Sequence, residues 1–425
     1  MSINCVSPIN LAGKAVSLSK TDQRLSVDEA RQAILDNLNP VAGHETITLD
    51  EAICGRVAAM PVHAISNIPR HDLSAMDGFA LAHNDLPLVD QFDVIGESAA
   101  GKPFPGSVTK GQAVRIFTGA ILPEGTDTVV IQEDCDLCQA QMSIKKEAWP
   151  SMGHCVRKTG LDVAKQEVIV AAGTRLGPGH LALCLAASQT SLEVWARPKI
   201  TIYASGDELQ HPGKDLPYGH IYDSTSLPLM TMARHWGCLA SNGPIMRDNP
   251  ADIAAKIKNA SGSDLLITIG GASVGDHDHM HDVLLKLGYQ PTFWKINMRP
   301  GKPLMFATHQ TLPPILALPG NPVSALVCAM LFLRSAIDKI GGVGQPYQPI
   351  FFDGILAHDL PAGSPREDYM RAIMQPSELG IEIIPFATQD SSMLNIFAKS
   401  TCLLVRPAGD PPCLAGERVK FLPIV

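Results

Sequence analysis

The sequence predicts a multidomain α/β protein with flanking β-rich parts, and three observations carry that expectation. From Pro198 to about Gly342, short apolar runs alternate with helical stretches, which argues for a mostly parallel sheet layered with helices. From Ala64 to about Lys158, and again over residues 346–425, the pattern breaks into short runs separated by Gly, Pro and Asp, as in small β-rich units. Finally, 425 residues are too many for one hydrophobic core, so two to four domains are expected.

Taken in order, residues 1–23 are polar and lack the apolar region of a secretory signal, so they read as a leader. Ser26-Val27-Asp28-Glu29 is a capping box that opens a helix running through Ala30, Ile34 and Leu35 to about Leu38. Leu181 to Ala187 is helical. Ile200–Tyr203 and Leu265–Ile269 are expected as buried strands, with helices near Ser226–Trp236, Ala251–Ala260, Met280–Leu287 and Val323–Ile340. The run Ile315 to Leu318 is a further short strand. Asn321 is then a suitable N-cap, Pro322 fits the first helical position, and Gly341-Gly342 stop the helix. Near the C-terminus, Cys402–Val405 and Arg418–Leu422 are expected strands.

Charge and composition narrow the function. Acidic residues outnumber basic ones, 42 to 34, for a net charge of −8, so nucleic acid is not the default partner. An anionic ligand must be held by a local basic cluster. No stretch reaches the roughly 18 apolar residues of a membrane span. Ten cysteines scattered through a long chain suit a reducing cytoplasm. Cys135 and Cys138 form one C-x-x-C, but no second pair follows at zinc spacing.

Several loops carry residues suited to chemistry. Leu265–Ile269 runs into Gly270-Gly271-Ala272-Ser273-Val274-Gly275-Asp276, where glycines let the backbone turn amides towards an anion, and Asp278 is placed to cap the next helix. His277, His279 and His281 beside it read as a solvated helix end, with a shared face for His277 and His281 as the metal-binding alternative. Glu208, Asp248 and Asp278 follow separate strands. Three carboxylates on neighbouring loops would suit Mg2+, which prefers hard oxygen ligands, while N-capping and solvation remain the plain alternative. Arg299 and Lys302, in Arg299-Pro300-Gly301-Lys302-Pro303, add cations near the helix opened by Pro322. In the β-rich part Asp77 sits on a tight turn, and Phe117 through Val130 reads as strand, turn and strand.

In combination and in this order, seven segments resemble the molybdopterin molybdenumtransferase family, the MoeA proteins and the gephyrin E domain. They are SAMDGFA (74–80), TGAILPEGTDTVV (118–130), GDEL (206–209), IYDS (221–224), GGASVGDHD (270–278), MRPGKP (298–303) and LPGNPVSA (318–325). The resemblance spans about residues 24–425. It implies an elongated homodimer of four-domain chains: domain I (24–63 with 164–197), β-rich domain II (64–163), a central three-layer α/β molybdopterin-binding domain III (198–345) and a C-terminal β domain IV (346–425). It also implies insertion of molybdenum from molybdate into adenylylated molybdopterin, with Mg2+ and release of AMP. Molybdopterin adenylyltransferase and molybdoenzyme maturation proteins are the implied further partners.

Carried over by motif, Asp278, Asp248 and Glu208 match the acidic positions and the expected metal ligands. Lys295, Arg299 and Lys302 match the basic run, and Pro319 and Pro322 the proline turn. Gly270, Gly271 and Ser273 match the glycine loop. Asp77 and Thr118 match positions expected to reach the partner subunit's site, and Arg371 and Ser391 are the expected molybdate donors beside Lys302. The chain departs from the family pattern at Leu161 (for Glu), Gln166 (for Gly), Ser205 (for Thr), Thr225 (for Asn) and Asp390 (for Gly). These departures leave a non-catalytic molybdopterin- or partner-binding paralogue as the alternative. Adenylylation of molybdopterin is a third reading, against which the flanking β-rich parts count.

Overall fold

The computed structural model describes residues 24–50, 53–145, 148–271 and 279–424. Val27–Asp36 is helical and opens with the expected capping box: the Glu29 amide donates to Ser26 Oγ, and the Ser26 amide donates to the Glu29 carboxylate. A cap of this kind contributes about 1 kcal/mol. Val27, Ala30 and Ile34 recur at helical spacing and are buried against the central layer.

The central sheet has six strands in the order Leu239–Asn242, Lys199–Ala204, Leu265–Ile269, Ile315–Leu318, Met305–Thr308 and Gln290–Trp294. The first four run parallel, and the last two join antiparallel. Leu265–Ile269 and Ile315–Leu318 are buried at every position, as strands covered on both faces must be. Alternate residues feed two cores. Ile200, Ile267 and Leu316 meet Leu229 and Ala233 of helix Ser226–His235 and Leu326 beyond Pro322. Leu266 and Ile315 meet Ile253 of Pro250–Asn259 and Leu284 of Met280–Leu287. Helices therefore cover both faces, giving three layers. The helix expected over Val323–Ile340 keeps one path but changes winding: α over Pro322–Cys328, π over Ala329–Leu333, and α again over Arg334–Ile340.

Ahead of this layer, His44–Thr48 pairs with Ser191–Trp195, and Val62–His63 with Val168–Val170. Ile53, Ala58, Val170, Leu176 and Leu192 share one core, so the chain leaves this unit and returns to it. The excursion carries a six-stranded sheet in the order Thr128–Ile131, Gly78–Leu81, Gln112–Ile116, Phe92–Ser98, Gln141–Ile144 and Cys135–Cys138. The strand expected at Phe117 has already ended at Ile116. Gly119 turns the chain at φ 82, a conformation that favours glycine. Cys135 and Cys138 are both free, and burial pushes the Cys135 thiol up to about 12.

After the central layer, Glu367–Ser377, Gly380–Pro385, Phe352–Leu356, Arg418–Pro423 and Cys402–Arg406 pair in that order, and the last closes on the first as a barrel. Met298–Arg299 from the central segment adds in parallel to the start of Glu367–Ser377. Among the described residues no helix is long and apolar enough to cross a membrane.

Gln166 stands at φ 72, where glycine is favoured, and its amide donates to the Ala64 carbonyl at 2.9 Å. That pairing, not residue type, holds the turn. Gln166→Gly is expected to stabilise the fold by about 0.5–1 kcal/mol, seen as a higher denaturant midpoint at unchanged slope.

Candidate active site

A cleft of about 1010 Å3 opens at the C-terminal ends of the parallel strands. Loops following Lys199–Ala204, Leu265–Ile269 and Ile315–Leu318 form one side, and Arg366 with Gln389–Ser392 of the barrel form the other. In open α/β sheets ligands bind at this end, because the loops converge there.

The acidic side is built by two stitched loops. The Asp248 amide donates to Asp207 Oδ1 at 3.2 Å, and the Asp207 amide donates to Asp248 Oδ2 at 3.3 Å. The Gly206 amide pairs with the Met246 carbonyl at 3.1 Å and holds the loops in register. A Cβ at Gly206 would lie 2.5 Å from a Glu208 carboxylate oxygen, so only glycine lets that carboxylate fold over the backbone. Glu208 and Asp248 thus both face the cleft with hard oxygen donors suited to Mg2+. Asp278, the third expected ligand, and Ser273 lie outside the described residues. Among the described residues no three metal-ligating side chains come together. The helix after them starts at Met280, and His279 ahead of it makes no side-chain cap.

The glycine turn differs from expectation in one respect. Gly270 and Gly271 both take positive φ, 86 and 70, but the Gly270 amide donates to the Leu318 carbonyl at 3.0 Å. It is therefore already paired as a continuation of the sheet and does not point at a ligand. Gly270 itself is required, since a Cβ there would meet the Ser205 carbonyl at 2.7 Å. Ser205 Oγ beside it is buried and has no hydrogen-bond partner among the described residues. Pro319 and Pro322 also line the cleft.

Arg299 and Lys302 line the cleft as expected. Arg299 Nε pairs with Asp368 Oδ1 at 3.0 Å, while the Lys302 ammonium has no partner among the described residues. Lys295 does not reach the cleft wall. It stands at φ 72, and its ammonium lies 4.7 Å from the centre of the Trp294 ring, within cation–π range.

Ser391 lines the cleft, and Arg371 lies behind its loop with 1 % exposure. The Arg371 Nη2 donates to the Asp390 carbonyl at 3.0 Å, and its Nε has no partner among the described residues. Burial lowers the Arg371 pKa, with Asp390 opposing that shift and Arg299 adding to it. A buried guanidinium without a carboxylate on it, near a second guanidinium, favours an anion between them. The Asp390 carboxylate is itself held low by the Ser392 hydroxyl and amide, which donate to it at 2.6 and 2.8 Å. It therefore stays ionised at the cleft edge.

Asp77 and Thr118 sit together on turns beside strands Gly78–Leu81 and Gln112–Ile116 of the β-rich sheet, and neither lines the cleft of their own chain. The Thr118 amide and hydroxyl both donate to Asp77 Oδ1, at 2.7 and 2.8 Å, and lower its pKa. Residues that sequence reasoning passed over are Arg366, Gln389 and the Asn321 side chain. Gln389 clamps Arg371: its Oε1 accepts from the Arg371 amide at 2.9 Å and its Nε2 donates to the Arg371 carbonyl at 3.0 Å. No local pattern marks such long-range pairs.

Comparison with known proteins agrees with this architecture. Residues 25–188 match the "MoeA N-terminal region (domain I and II)", 201–339 the "Probable molybdopterin binding domain" and 353–424 the "MoeA C-terminal region (domain IV)". A molybdopterin molybdenumtransferase of Haemophilus influenzae is 35% identical over 401 residues, covering 94% of this chain and 98% of its own. One from Nostoc sp. is 33% identical over 379 residues, covering 87% of this chain and 86% of its own. The crystal structure of a molybdopterin biosynthesis MoeA protein from Pyrococcus horikoshii shares the fold at a TM-score of 0.77 and 24% identity, covering 95% of this chain and all 100% of that one.

The Asp77–Thr118 pair has a pH consequence. A depressed carboxylate pKa stabilises the fold above the unfolded value, and that contribution is lost as pH falls through the folded one. Thr118→Val removes the hydroxyl but keeps the amide, the larger cause. The Asp77 pKa is expected to rise part of the way to an ordinary carboxylate, measured by carboxyl carbon NMR titration.

Proposed function

The chain belongs to the molybdopterin molybdenumtransferase (MoeA) family, transferases of molybdenum cofactor biosynthesis, and on that premise we propose that its cleft inserts molybdenum from molybdate into adenylylated molybdopterin and releases AMP. The observation that carries this reading is one cleft holding carboxylates Glu208 and Asp248 together with the cations Arg299, Lys302 and Arg366. A phosphorylated substrate and a tetrahedral dianion both need cationic and hydroxyl donors. The Lys302 ammonium, the Ser391 hydroxyl and Arg371 behind it are the proposed molybdate donors. Arg299, Gly271, Pro319 and Pro322 are proposed to shape the molybdopterin site, with Gly270 supporting the turn and Ser273 completing the loop.

Mg2+ held by Glu208 and Asp248, with Asp278 as the third ligand, would neutralise charge on the pyrophosphate linkage. Lys295 is proposed to act from beside Trp294 on substrate reaching beyond the cleft wall. Asp77 and Thr118 are proposed to serve the site of a partner subunit in a homodimer. The division into residues 24–63 with 164–197, 64–163, 198–345 and 346–425 is proposed as the domain plan. A cytoplasmic setting fits the free cysteines. Adenylylated molybdopterin must come from an adenylyltransferase, and molybdoenzyme maturation proteins would take up the product.

The test is AMP release from adenylylated molybdopterin, which is expected only when molybdate and Mg2+ are both present. Protein that binds the adduct yet releases no AMP with both saturating would instead be the non-catalytic paralogue. Lys302→Ala is expected to lower kcat/KM for molybdate by about tenfold or more, since a charged hydrogen bond contributes roughly 1.5–3 kcal/mol. Asp390→Asn keeps an acceptor for Ser392 and removes the charge. It is expected to lower the molybdate KM a few-fold in dilute buffer, an effect that shrinks as salt screens the repulsion.

A further inference from the structure

Asn321 occupies an N-cap position but does not cap. Its backbone is extended, with φ −65 and ψ 125, and its side chain makes no bond to the helix amides. Its Nδ2 instead donates to Ser391 Oγ at 2.7 Å, across a sequence separation of 70. The helix is closed from the other side, because the Val323 amide donates to the Ser391 carbonyl at 3.2 Å. An asparagine at this position ordinarily accepts from the second or third helical amide. Here the serine carbonyl takes over one such amide, and the asparagine side chain is turned to the serine hydroxyl.

This arrangement decides which way the hydroxyl points. A serine hydroxyl has one proton and two lone pairs. Asn321 engages a lone pair, and no acceptor for the Ser391 proton occurs among the described residues. The adjacent Asp390 is turned to Ser392, whose amide and hydroxyl both donate to its Oδ1 at 2.8 and 2.6 Å, and among the described residues it accepts no bond from the Ser391 hydroxyl. The loop is tied at its root, where Gln389 Nε2 donates to the Phe386 carbonyl at 2.8 Å as well as to Arg371.

We propose that Asn321 is a positioning residue that holds Ser391 as a hydrogen-bond donor towards an oxyanion in the cleft. The proposal rests on Ser391 as a molybdate donor and goes further by assigning what sets the polarity of that hydroxyl. Asn321 acts through Ser391 on molybdate, not on the adenylylated substrate.

Steady-state kinetics of the full chain test it, with KM measured separately for molybdate and for adenylylated molybdopterin. Asn321→Ala is expected to raise the molybdate KM several-fold. Asn321→Asp, which takes the Ser391 proton for itself, is expected to raise it roughly tenfold or more. The KM for the adduct stays within about twofold, and in a Ser391→Ala background Asn321→Ala adds less than about twofold. Equal rises in both KM values, or a full additional penalty on top of Ser391→Ala, would overturn the positioning role. Ser391→Ala that weakens molybdate use while Asn321→Ala is silent also overturns that role alone. Ser391→Ala without effect overturns the oxyanion reading itself, and the proposal with it.

Discussion

The cleft depends on one seam, the pairing of Met298–Arg299 with Glu367 and Asp368 of the barrel. Arg299 is anchored there by Asp368, whose side chain is 2% exposed and also accepts from the Ser364 hydroxyl at 2.8 Å. A carboxylate buried that deeply is costly when left alone, so the ion pair makes the register specific. A slip of one residue would send Arg299 to the opposite face of the strand. Just beyond it, Gly301 passes over the long helix, where a Cβ would lie 2.6 Å from Cys328 Sγ. That close passage is what delivers Lys302 to the cleft.

The same seam explains how an acidic chain can serve anionic substrates. The overall charge of −8 is unfavourable for an anion, but it is spread over 425 residues and screened beyond about 10 Å. Within the cleft, cations from the central segment and from the barrel meet at short range. Arg371 holds a buried charge without a carboxylate on it, and Asp390 moderates the field at the rim. The acidic loops are kept apart in role by their own reciprocal bonds through Asp207 and Asp248.

Much of this was legible locally. The capping box at Ser26, the strand Ile315–Leu318 and the four helices of the central segment all follow from nearest-neighbour chemistry, and the structure has them within a few residues. The strands Met305–Thr308 and Gln290–Trp294, which extend the sheet by antiparallel pairing, were not read, because short runs among prolines carry little periodicity. Motif order pointed to Glu208, Asp248, Lys302 and Ser391, which the fold brings to one cleft. Side-chain direction was not legible: the Lys295 ammonium lies over the Trp294 ring, and Asn321 reaches a serine on a turn of the C-terminal unit, 70 residues away in sequence. Such choices depend on contacts that only the assembled fold supplies.

The N-terminal unit whose chain departs and comes back has a consequence for synthesis. Its first strand, His44–Thr48, must wait for Ser191–Trp195 before it can pair. On a ribosome the inserted sheet is complete before the platform that carries it exists. Early strands that wait so long are exposed to wrong partners, and closing so distant a contact is slow. This chain therefore assembles its excursion first and its base second, with the base setting the pace.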